Sequence, residues 1–317
     1  MTEFRLTQIS DTHLSRSNKF ADLTDNFHRV GEHIDATRPD LVVNTGDVAW
    51  DGPSNRADSE YAEELHAALP VECRYLPGNH DVGDNPTAVG AAPLHMANEK
   101  DCAVFAEIFG EDRWQFEAAG WRFIGLNSLI MNTGISNEIE QEEWLQSQLS
   151  GANGKPIALF LHKPLFLQAP EDPEEAGTAI RYVPQPVRSR LVEMLGAHDV
   201  RLVASGHVHQ RRDFTYGHTR HIWAPSTGLI FPERIQPVIG VKEVGLMEPD
   251  DPKRRYFLKE LSELTQVRRI LKSASDELIG QHMDALAREV ATLKPRNPRR
   301  AEIVQEIIRL SKRLRES

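Results

Sequence analysis

Short apolar runs alternate along the chain with apolar positions at helical spacing, and the runs keep ending in polar residues of one kind. Phe4-Arg5-Leu6-Thr7-Gln8-Ile9 has the period of two expected of a strand and gives way to Ser10-Asp11-Thr12-His13. Leu23, Phe27, Val30 and Ile34 then recur at helical intervals up to Pro39. A strand over residues 40–44 leads into Thr45-Gly46-Asp47, a helix is predicted over 55–69, and a third strand over 71–76 stops at Pro77-Gly78-Asn79-His80-Asp81. Residues 82–115 are less regular, broken by Gly83, Pro86, Gly90 and Pro93, and read as a lid or pocket wall containing a helix over 98–109. Further strands are predicted over 121–127, 156–161 and 200–204, with helices over 137–149 and 186–195. Repeated units of this length predict an α/β body of mixed or parallel sheets covered by helices.

After a Pro-Asp-Asp-Pro linker at 249–253, apolar residues from Phe257 to Leu293 fall mostly three, four or seven apart, and Ile303, Ile307, Leu310 and Leu314 continue the pattern. The chain therefore divides into a catalytic body, 1–248, and a helical C-terminal extension, 249–317. Charge sharpens that division. From residue 251 onward there are sixteen Lys and Arg against ten Asp and Glu, a balance of +6, within a chain of net charge -10. Residues 1–250 thus carry -16, an acidic body that repels a long polyanion and suits a small phosphate ester whose charge is met locally by cations. The polar face of the extension mixes both signs, so it is read as intramolecular or intersubunit packing, the latter giving a homo-oligomer, rather than as a nucleic-acid or membrane surface.

Apolar residues make up 40% of the chain and charged residues 26%, the balance of a globular protein with a sizeable core. Met1 runs directly into the first strand with no basic and apolar leader, and no stretch approaches ~20 apolar residues. Two cysteines, Cys73 and Cys102, are too few for a disulfide framework and read as small buried residues, so a cytoplasmic setting is expected.

Five polar clusters sit just past five predicted strands, the edge at which open α/β sheets build their sites. Asp11-x-His13 offers an oxygen and an imidazole two residues apart, so an extended backbone would face both the same way. Gly46-Asp47 and Gly78-Asn79-His80-Asp81 set glycine beside donor groups, which permits close backbone approach. His162 follows an apolar run, and Gly206-His207-Val208-His209 adds two imidazoles. Nitrogen and oxygen donors without thiolate suit Fe, Mn, Zn or Co. Seven donors exceed one tetrahedral ion; with Asp47 shared they supply about eight bonds, enough for two divalent ions ~3.5–4 Å apart that acidify a bridging water and clamp phosphoryl oxygens. His80 stands outside that set and is assigned to stabilising phosphoryl charge and protonating the leaving oxygen, with Asp81 either orienting it or lying behind the ligands.

The ordered motifs D-x-H, G-D, G-N-H-D, H and G-H-x-H resemble the calcineurin-like metallophosphoesterase family over roughly Phe4 to Ser226. The resemblance implies a four-layer αββα sandwich of two mixed sheets. It also implies one metal on Asp11, His13, Asp47 and His209, a second on Asp47, Asn79, His162 and His207, and His80 as the catalytic histidine. Within the family, Ser10-Asp11-Thr12-His13-Leu14 looks most like class III cyclic nucleotide phosphodiesterases and bacterial glycerophosphodiesterases. The chain departs from them at His162-Lys163-Pro164, where those enzymes often carry His-His-Pro. The expected activity is hydrolysis of a small phosphodiester by a metal-bridging hydroxide, with a phosphomonoesterase or a nuclease as the alternatives on the same site. A non-catalytic scaffold is disfavoured because no ligand histidine is missing.

Overall fold

A computed structural model describes residues 4–17, 20–87, 93, 95–175, 179–248 and 303. Alternation along each strand decides what its two faces meet. In β1 (Leu6–Ile9), β2 (Leu41–Asn44) and β3 (Cys73–Tyr75) the strands run parallel in that order. Leu6, Leu41 and Val43 point one way, into a core shared with Trp114, Phe123, Ala158, Phe160 and Ala204 of a second sheet. Ile9 and Val42 point the other way, against Phe27, Val30 and Ile34 of α1 (Ala21–Thr37), Ala62 of α2 (Arg56–Ala67) and Phe105 of α4 (Glu99–Phe109).

The second sheet has six strands in the order β4-β5-β6-β7-β9-β8, where β4 is Trp114–Ala118, β5 Trp121–Leu126, β6 Ile157–Leu161, β7 Val200–Ser205, β8 Arg212–Tyr216 and β9 Thr219–Trp223. It is mixed: β5, β6, β7 and β9 are parallel, while β4 and β8 are antiparallel edges. Its outer face, with Ile124, Ile157, Leu159 and Val203, is covered by Leu145 and Leu149 of α5 (Ser136–Ser150) and by Leu191 and Leu195 of α6 (Val187–Gly196). Helices, sheet, sheet and helices are the four layers expected of the αββα sandwich. The first sheet is parallel in its three strands and, among the described residues, gains an antiparallel neighbour at the bridge Gln8–Met247.

Two differences from the sequence reading lie at sheet edges. The stretch 82–115 closes with β4, whose Trp114-Gln115-Phe116-Glu117-Ala118 alternation extends past the expected irregular region. The hairpin of β8 and β9 turns at Gly217, which adopts φ 60°, and adds two strands that the reading left out. Parts of the expected pocket wall, 88–92 and 94, lie outside the described residues, as does the C-terminal extension apart from Ile303, a buried helical residue. By compactness the chain divides into Met1–Ile230 with Pro237–Lys259, and Phe231–Gln236 with Glu260–Ser317. Among the described residues no helix is long and apolar enough to cross a membrane. Cys102 is buried and Cys73 half-buried, both unpaired, and burial pushes each thiol up to about 12.

Candidate metal centre

Five parallel strands, β1, β2 and β3 of one sheet and β6 and β7 of the other, end at one edge, and their exits carry the donors. The ladder continues beyond β1 and β2, where Asp11 N–H donates to Gly46 O (2.9 Å) and His13 N–H to Asp47 O (2.9 Å), and beyond β6 and β7, where Gly206 N–H donates to His162 O (2.9 Å). Asp11, His13, Asp47, His207 and His209 all adopt positive φ, between 46° and 67°. The two-residue spacings therefore work through left-handed turns and not, as expected, through extended backbone. For residues with a Cβ such turns cost energy, and strain of this kind collects where geometry serves a site. Glycine is required where the Asn79 turn meets Asp47: a Cβ on Gly78 would stand 2.1 Å from Asp47 Oδ1 and 2.2 Å from the Asp47 backbone nitrogen.

These turns bring all seven predicted donors together. Asp11, His13, Asp47 and His209 present ligand atoms within 4.8 Å of one another, and so do Asp47, His162 and His207. Asp47 belongs to both groups, with Oδ2 3.6 Å from His13 Nε2 and Oδ1 3.5 Å from His162 Nε2. Asn79, the first residue of α3 (Asn79–Val82), sets its Oδ1 3.3 Å from His162 Nε2. Asp11, His13, Asp47, His162 and His209 are buried, while Asn79, His80 and His207 are half-buried and mark the open side.

Four of the five imidazoles are oriented by backbone carbonyls. His162 Nδ1–H donates to Thr45 O (2.8 Å), His207 Nε2–H to Ile180 O (3.0 Å), His209 Nδ1–H to Leu229 O (2.9 Å) and His80 Nδ1–H to Trp50 O (2.5 Å). Each such bond fixes the tautomer and leaves a lone pair on the other nitrogen. The consequence is a collision of acceptors. His162 Nε2 faces His207 Nδ1 at 3.0 Å with a lone pair on each, the His209 Nε2 lone pair lies 3.1 Å from Nε2 of His13, the one ring that no carbonyl orients, and the carboxylates of Asp47 and Asp11 stand among them. Buried His13 Nδ1 has no hydrogen-bond partner. Lone pairs and carboxylates converging in a buried space require positive charge between them, and nitrogen with oxygen donors suits borderline divalent cations. The residues fit two such ions.

The electrostatics state the same demand. Burial by itself would raise the Asp11 and Asp47 carboxyls, yet the neighbouring imidazoles, His209 for Asp11 and His162 and His80 for Asp47, lower Asp11 to about 2 and Asp47 well below its ordinary range. Burial works against protonation of His162, but the adjacent Asp47 raises it to about 9. A proton there takes the place a metal ion would hold, so cation uptake should weaken as pH falls.

Asp81 does not orient His80. Its carboxylate accepts from Val48 N–H (3.1 Å), Ala49 N–H (2.9 Å) and Gly78 N–H (2.8 Å), tying the turn after Asp47 to the start of α3. Burial and the Asp47 charge push Asp81 up to about 7 against those three donors. It is a positioning residue, and the carbonyl of Trp50 does the orienting. Sequence reasoning also missed His66. Fully buried on α2, it donates from Nδ1 to Ala62 O (2.7 Å) and accepts at Nε2 from Asn44 Nδ2 (3.0 Å), and Asn44 Oδ1 accepts from Gly46 N–H (3.0 Å). The position of Gly46-Asp47 is thus relayed from a helix of the outer layer.

Burial lowers His66 to about 4 from the usual 6.5. A depressed folded value means stability is complete above 6.5 and drains as pH falls toward 4, by roughly 2–3 kcal/mol over that window. The expected result is that urea unfolding of His66→Leu, destabilised at pH 7.5, converges toward wild type as pH is lowered to 4.5. Parallel stability curves would contradict it.

The pattern of the family described as calcineurin-like phosphoesterase matches residues 4–211. This chain belongs to that family. It is 26% identical over 237 residues to mouse serine/threonine-protein phosphatase CPPED1, covering 71% of this chain and 70% of that protein. It is 27% identical over 242 residues to the 3',5'-cyclic adenosine monophosphate phosphodiesterase CpdA of Escherichia coli K12, covering 72% and 77%. An Arcobacter nitrofigilis protein named "Probable glycerophosphodiester phosphodiesterase GpdQ" is 28% identical over 215 residues, covering 65% and 71%. Among solved structures, purple acid phosphatase PPD1 of yellow lupin matches with a TM-score of 0.56 at 16% identity, over 77% of this chain and 48% of that one. A dimetal phosphatase from Danio rerio matches at 0.50 and 14% identity, over 71% and 88%. The structural likenesses show the fold; the family shows a hydrolase of phosphate esters.

Proposed function

We propose that this phosphoesterase hydrolyses a small phosphodiester, of the cyclic nucleotide or glycerophosphodiester type, at a site holding two divalent cations. The observation that carries the reading is the pairing of imidazole nitrogens on either side of Asp47, each of whose oxygens faces one side. Asp11, His13, Asp47 and His209 would hold one ion, and Asp47, Asn79, His162 and His207 the other. Bound there, divalent cations supply water acidified toward neutral pH and charge that clamps phosphoryl oxygens.

The chain's residues do the rest. Asp47 accepts from His80 N–H (2.8 Å), which fixes the start of α3 and with it the His80 ring. His80 Nδ1 is committed to Trp50, so Nε2 is the nitrogen available to substrate on the open side. As water adds to phosphorus and the P–O bond to the alcohol breaks, the departing alkoxide takes a proton from Nε2 of His80 in its imidazolium form, whose Nδ1–H stays on Trp50 O, and the proton lost by the attacking water replaces it, yielding an alcohol and a phosphate monoester. The diester reading is supported by the phosphodiesterase names of two relatives and by the use of Lys163, whose ammonium is buried on Asp84 and Asn85 and so does not meet a substrate dianion. The name of the CPPED1 relatives supports a monoesterase as the second reading.

A panel of cyclic nucleotides, glycerophosphodiesters, bis-p-nitrophenyl phosphate and p-nitrophenyl phosphate, assayed with Mn, Fe, Zn and Co, separates them. The diesters are expected to be turned over with kcat/KM at least tenfold above the monoester. The reverse order would make the chain a phosphomonoesterase.

A further inference from the structure

Lys163 stands one residue past His162, where the resemblance has a second histidine, and it is fully buried. Its ammonium donates to a carboxylate oxygen of Asp84 and to Asn85 Oδ1 (2.6 Å). Its backbone N–H donates to Ser128 Oγ (3.0 Å), and Asn85 Nδ2 donates to Ser128 O (2.9 Å). Three segments meet there: the exit of β6 carrying His162, the exit of β5, and the residues leaving α3, which carries Asn79 and His80. Asp84 is itself held in place, donating from its N–H to His95 O (2.9 Å) and accepting from Ala97 N–H (2.9 Å).

A buried ammonium beside a site that gathers cations is a penalty, because like charges in a low-dielectric interior repel strongly. A neutral side chain could have filled the same space. The chain instead keeps the charge and sets a carboxylate on it, drawn from the segment that follows the Asn79 turn.

We propose that the Lys163–Asp84 pair is a charge-compensated clamp that sets the cation affinity of the Asn79–His162–His207 side of the centre. Asp84 cancels the Lys163 ammonium so that a metal ion can be held beside His162, one residue away, and this cancellation, more than the tie itself, sets the affinity. The inference rests on the two-cation reading above and adds two positioning residues to it, neither of which touches substrate.

Metal-depleted full-length protein titrated with Mn²⁺ alone, followed calorimetrically and by electron paramagnetic resonance, tests the clamp. Wild type is expected to take up two equivalents. Asp84→Asn leaves the ammonium uncompensated and should weaken the second equivalent at least tenfold while the first stays within threefold. Asp84→Asn/Lys163→Met removes both charges and should bring the second equivalent back to within threefold of wild type. A purely structural role would lower the unfolding temperature in the variants without that selective loss and recovery.

Unchanged second-equivalent affinity in Asp84→Asn, or a double variant as weak as the single, overturns the clamp while two-equivalent binding by wild type leaves the metal reading intact. Fewer than two equivalents on wild type overturns both. Should Asp84→Asn fail to fold, Lys163→Met is compared with the double variant: its extra carboxylate should bind the second Mn²⁺ at least threefold more tightly, and equal affinities would overturn the proposal.

Discussion

Asp47→Ala is expected to lower kcat at least 10³-fold and to reduce bound metal from two equivalents to less than one per chain. Among the described residues, Asp47 is the side chain that faces both halves of the centre. Its two oxygens face opposite halves of the centre, Oδ2 toward His13 and Oδ1 toward His162, and Oδ1 also accepts the His80 N–H that begins α3. Removing the carboxylate takes a negative charge from both cation positions and frees the turn that carries His80. The uncatalysed hydrolysis of phosphate esters is among the slowest reactions in biology, with enzymatic accelerations up to ~10²¹, so a centre that can no longer bind its ions has no comparable alternative route. Metal analysis of the folded variant beside its steady-state rate checks this. A variant that retained two equivalents and a measurable fraction of wild-type turnover would show that Asp47 is not shared.

His80→Ala should behave differently. Its ring makes no hydrogen bond to either group of metal donors: Nδ1 is bonded to Trp50 O, and the ring packs edge-on against His13 with centroids 4.6 Å apart. The variant is therefore expected to keep both equivalents of metal and to lose about 10²–10⁴-fold in kcat, the usual worth of a positioned general acid. The loss should depend on the leaving group: large for an alkyl alcohol, which needs a proton as it departs, and small for p-nitrophenolate, which does not. Equal losses for the two leaving groups would assign His80 to stabilising phosphoryl charge alone. Full activity on an alkyl diester would remove it from the mechanism.

Much of this was legible in the sequence because strands and donors follow separate rules that agree. The unbroken apolar runs Leu41-Val42-Val43 and Ala158-Leu159-Phe160 announce strands buried on both faces, and the sandwich uses both faces. The donors were recognisable because each cluster directly follows such a run, and the exits of parallel strands lie together. What was not legible depends on backbone geometry or on long-range partners. Left-handed φ at Asp11, His13, Asp47, His207 and His209 leaves no mark in residues that ordinarily avoid it. The carbonyls of Thr45, Trp50, Ile180 and Leu229, which orient four imidazoles, have no side-chain signature. His66 and Asn44 are twenty-two positions apart and meet only once α2 packs on β2. Asp81 was noticed for its neighbour His80, whereas its partners are three backbone N–H groups across the turn.

The most direct measurement is anomalous diffraction from crystals of the full chain equilibrated with Mn²⁺. Two peaks should appear, one among Asp11, His13 and His209 and the other among Asn79, His162 and His207, with the Asp47 carboxylate touching both. A single peak, or two that do not share Asp47, would contradict the account.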